Sequence, residues 1–151
     1  MSRLFSAVIL LSVLSLPAQA ADFTVDQVIG IGNALAGLNC GNRVVKDGAK
    51  ESVICEPYKW TPGVSWVIAR NLNKAQEVAR QFDRMRETEI AKLRRKEDGA
   101  PREDAIAALN VLIRGWLDAS IKIDLEKLKQ SDLEPMNIPP QVIAPLLPIV
   151  E

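Results

Sequence analysis

From Val64 to Asp98 the chain runs through thirty-five residues without a glycine or a proline. A run of that length, rich in charged residues and built on a helical period, predicts one continuous helix over Thr61 to Lys96. Thr61 supplies an N-cap hydroxyl, and Pro62 occupies the first helical position, where its missing N–H costs nothing. Gly99 suits the stop. Placed at 100° per residue, Val64, Ile68, Leu72, Ala75, Val78, Ala79, Phe82, Met85, Ile90 and Leu93 fall on one arc of roughly 140°. The remaining surface is charged, with opposite signs three residues apart at Lys74/Glu77, Arg80/Asp83 and Arg84/Glu87. At 1.5 Å per residue such a helix is roughly 50 Å long, too long for one short partner to cover.

The first twenty residues have the pattern of an export signal. Arg3 gives a positive start, Leu4 to Leu16 an apolar run of thirteen residues, and Ala18-Gln19-Ala20 a small-x-small cleavage site. The run is too short to span a bilayer comfortably, so cleavage after Ala20 is expected, with no stable membrane anchor left. Residues 21–151 are one domain's worth of chain, expected to be periplasmic or secreted. Loss of Arg3 would leave eighteen basic residues against nineteen acidic. That balance speaks against a nucleic-acid partner, which an overall basic surplus usually marks. Export also makes Cys40 and Cys55, the two cysteines, candidates for a disulfide.

Several shorter elements flank the long helix. Thr24 and Gln27 form a capping-box pattern, and Phe23 can staple onto Val28, so a helix is expected over Val25 to Leu38. Its Gly30-Ile31-Gly32 string is better explained by close helix contact than by a nucleotide loop, because no strand precedes it and the third glycine is misplaced. The β-branched segments Asn42–Val45 and Ser52–Tyr58 flank Asp47-Gly48, the dipeptide of a type I′ turn. With those two as the loop, Cys40 stands opposite Cys55. Closing that loop would contribute roughly 3 kcal/mol. Pro57 marks the end or the edge of the second strand.

After the long helix, Asp98-Gly99-Ala100-Pro101 predicts a tight reversal into a helix over Pro101 to Ala119. Its expected buried face is Ala105, Ile106, Leu109, Leu112, Ile113, Trp116 and Leu117. Residues 120–125 alternate polar and apolar like a strand, which could add to the hairpin as a third strand. Ser131 to Glu134 resembles a capping-box turn. The tail over residues 137–151 is apolar but broken by Pro139, Pro140, Pro145 and Pro148, and it either covers the core or docks a partner. The expected fold class is α+β and mainly helical: a long central helix packed by two shorter helices, with a small antiparallel hairpin or three-stranded sheet.

The sequence holds no histidine. That removes Ser-His-Asp and Cys-His sites, histidine general bases and His-bearing zinc sites, and two cysteines make no zinc cluster. No cofactor, metal or catalytic residue is expected. Two carboxylates alone can hydrolyse a glycoside, which keeps a cell-wall hydrolase as an alternative. Glu77, Asp83, Glu87, Glu89, Glu103 and Asp104 nevertheless sit among basic neighbours in helical patterns, as a solvated face does. The basic run Lys92 to Lys96 fills last helical turns, where positive charge suits the macrodipole.

Three places could meet a protein partner. Trp66 projects away from the apolar stripe, near Tyr58 and Trp60 in sequence; either the hairpin folds over it or the three form an aromatic patch. Arg86 and Glu89 interrupt the stripe, as an ion pair at its edge or as a recognition point. The tail is the third. Taken in order, Lys46-Asp47-Gly48, Pro57-Tyr58-Lys59, Ala69-Arg70-Asn71-Leu72, Phe82 with Arg86, Ser131-Asp132-Leu133 and Leu147-Pro148-Ile149-Val150-Glu151 resemble a family of small phage and prophage proteins. That family has no assigned activity, so the resemblance implies no catalytic residues, and its members usually lack an export signal. Together these features point to an exported, non-enzymatic adaptor or inhibitor, with a structural envelope protein as a further alternative.

Overall fold

The structure is a computed structural model, and it describes residues 21–39, 41–47, 50–96 and 103–151. The expected export signal, Cys40, Gly48 of the expected turn and the reversal at 97–102 lie outside the described residues, as do the side chains of 41–54 and 94–96. The elements are β1 (Ala21–Thr24), α1 (Val25–Gly37), β2 (Gly41–Asp47), β3 (Lys50–Glu56), α2 (Pro62–Lys96), α3 (Glu103–Leu117), β4 (Ser120–Ile123), α4 (Gln130–Leu133) and α5 (Pro140–Ile143), with 3₁₀ turns over Glu134–Met136 and Ala144–Ile149.

Local chemistry sets the helix starts. The Thr24 hydroxyl accepts from the Gln27 N–H at 3.2 Å, and the Gln27 side chain accepts from the Thr24 N–H at 2.9 Å, so two otherwise orphaned donors are satisfied reciprocally. Thr61 caps α2, its hydroxyl accepting from the Val64 N–H and its carbonyl from the Ser65 N–H. As expected, α2 is a single helix, with α1 and α3 both packed on it.

The core lies between α1, the N-terminal half of α2 and the C-terminal tail. Ile31 and Leu35 of α1 and Leu38, the residue that caps its C-terminus, are fully buried; Val64, Ile68 and Ala75 of α2 face them; Ile138, Leu146 and Ile149 close the third side. Burying each large aliphatic side chain here contributes roughly 1.5–3 kcal/mol. The two helices approach so closely at Gly32 that a Cβ placed there would lie 2.9 Å from the Ala75 Cβ. The glycine is a contact residue, as the sequence suggested.

The tail covers the core. Residues 128 and 150 form a parallel bridge: the Leu128 N–H donates to the Ile149 carbonyl at 2.7 Å, and the Glu151 N–H to the Leu128 carbonyl at 2.9 Å. Proline breaks the segment into short turns instead of one helix, and those turns let Leu146 and Ile149 point inward.

Four sequence expectations are corrected. β4 pairs with β1, Thr24 opposite Ser120, so the molecule has two separate two-stranded sheets and no three-stranded one among the described residues. The segment after α3 returns to the start of α1, where β1 offers an unpaired ladder. In the hairpin, pairing continues to Asp47↔Lys50, which makes Asp47 a strand residue and sets Cys55 opposite Asn42, two positions from Cys40. α4 starts from Lys129 with no side-chain cap, so Ser131 does not close a capping box. Finally, α3 has no buried residue: Ile106 and Leu112 are exposed, and Trp116 and Leu117 only partly covered. Two crossing helices shield only the strip between them, and nothing among the described residues roofs the rest.

Candidate partner-binding face

One turn of α2 grips the connection that follows β4. Arg70, Asn71 and Lys74 all reach the segment Asp124–Glu126. The Asn71 amide nitrogen donates to the Glu126 carbonyl at 2.8 Å, and its amide oxygen accepts from the Glu126 N–H at 2.9 Å. Asn71 is fully buried. Its amide therefore replaces a neighbouring strand for that one residue, satisfying backbone groups that burial would otherwise leave unpaired.

Outside this bond pair lies a fork-on-fork ion pair. Arg70 Nε and Nη2 donate to Glu126 Oε1 and Oε2 at 2.6 and 2.5 Å. The hydrogen bonds hold the Glu126 carboxyl below its ordinary pKa and the Arg70 guanidinium above its own; the attraction of Lys74 adds to the first effect. Lys74 Nζ donates to the Asp124 carbonyl at 2.5 Å and lies 3.7 Å from that residue's carboxylate. One helical turn thus fixes both ends of a three-residue segment with no secondary structure of its own.

Trp66 stands one turn before Arg70 on the same side of α2, and the indole is 66% exposed. The hairpin does not fold over it. Tyr58 and Trp60 go elsewhere: their rings pack 5.6 Å apart against the core, and the Trp60 indole N–H donates to the Leu38 carbonyl at 3.0 Å. That bond satisfies a carbonyl at the end of α1. The three aromatics therefore divide, two serving the core and Trp66 left at the surface.

The pair Arg86 and Glu89 also separates. Arg86 bonds back to Asp83 at 3.3 Å, and Glu89 forward to Lys92 at 2.5 Å. Each finds a partner one turn away along α2, so no Arg86–Glu89 bridge forms. Glu77 likewise pairs with Arg80 at 3.0 Å. These acids lie on solvated helix surfaces. Among the described residues, no group of three or more acidic, cysteine or histidine side chains could hold a metal ion, and no helix is long and apolar enough to cross a membrane.

Sequence reading missed Asn71 and Glu126 as partners. A signal for Asn71 exists: it stands seven residues after Val64 and three after Ile68, at a position where the stripe calls for an apolar side chain. A polar residue there has to find a buried partner. Nothing local in the chain around Glu126 identifies that partner. Comparison of the chain with models of protein families, with curated proteins and with solved structures finds no match.

Proposed function

We propose that the chain is an exported, non-enzymatic binding protein that engages a protein partner of the cell envelope through the Trp66 side of α2. The carrying observation is Trp66 itself, a two-thirds exposed indole one turn from a bidentate arginine–glutamate pair. Tryptophan and arginine dominate the energetics of protein interfaces, because each brings large area or several donors at little conformational cost. The clip on residues 124–126 holds Arg70 in place before any partner arrives, which lowers the ordering cost of association. The complementary surface is a shallow apolar recess for the indole, rimmed by polar groups that can add to the Arg70–Glu126 pair.

The terminal apolar segment with its Ala18-Gln19-Ala20 site supports export, and the resemblance of the chain's motif order to small phage and prophage proteins favours a phage-derived adaptor or inhibitor. The solvated, ion-paired acids of α2 favour this reading over a carboxylate hydrolase. Capture from an envelope fraction with the tagged full-length gene product tests it. Loss of a captured protein on Trp66→Ala, with the melting temperature unchanged, is the expected result. Capture that survives the substitution overturns the reading.

A further inference from the structure

We draw no further inference here: the strongest candidate, the apolar trough left open along the second half of α2 and α3 beside Phe82, Met85 and Leu112, carries none, because nothing in the structure shows what covers it.

Discussion

The side-chain amide of Asn71 closes on both main-chain groups of Glu126, donating to its carbonyl and accepting from its N–H at 2.8 and 2.9 Å. Fifty-five residues separate the two in sequence. The pairing ties the long helix to the segment that carries the chain from β4 to the tail. It therefore couples the packing of the core to the position of Arg70 and the neighbouring Trp66.

Asn71→Ala leaves both Glu126 groups without a partner and opens a small void in the core. The expected loss is about 2–4 kcal/mol, since each unsatisfied buried group costs roughly 1–3 kcal/mol. Urea unfolding measures it. Asn71→Leu should be no rescue despite its better hydrophobicity, because the peptide stays unpaired; a leucine variant as stable as wild type would contradict the role given to the amide.

The Arg70–Glu126 pair makes stability depend on acid. The carboxyl of Glu126 has a lower pKa in the folded chain than in the unfolded one. Its contribution is therefore present above the unfolded value, about 4.3, and is lost as pH falls through the folded value. Wild type should melt higher than Glu126→Gln at pH 7, and the gap should narrow below about pH 4. Exposure of both side chains and screening keep the gap small, and added salt should reduce it. A gap that widens in acid would reverse the assignment.

Gly32→Ala should destabilise even though alanine is the better helix former. The added methyl would stand 2.9 Å from the Ala75 Cβ, closer than two carbons tolerate. Overpacking of this kind costs about 1–3 kcal/mol, more than the gain in propensity. The pair Gly32→Ala with Ala75→Gly should recover part of the loss, and an additive double variant would show that the contact is not the cause.

The proposed Cys40–Cys55 bridge predicts a mass lower by two hydrogens before reduction, and the proposed export predicts a chain beginning at Ala21. Reduction should cost about 3 kcal/mol by freeing the hairpin loop in the unfolded state. Intact-mass measurement of the accumulated protein reads both features together. Free thiols in the native protein would remove the bridge.

What could be read from the residues was local. Thr24 with Gln27 set one helix start and Thr61-Pro62 another, because caps depend on neighbours within one turn. The apolar stripe with its unbroken run determined a long helix, since 3.6 residues per turn come from backbone geometry alone. Gly32 was legible as a contact residue, though not which residue it would meet.

Tertiary structure decided the pairings. β4 joins β1 instead of the hairpin, Trp60 reaches Leu38 while Trp66 stays in solvent, and Asn71 finds Glu126. An alternating strand pattern names no partner strand, and an aromatic residue carries no sign of whether it ends up covered. Such choices depend on how a whole chain fills space and satisfies its buried polar groups, and those are sums over distant contacts. The incomplete cover on α3 belongs to the same class: its apolar period came from the sequence, but only the assembled molecule left that side bare.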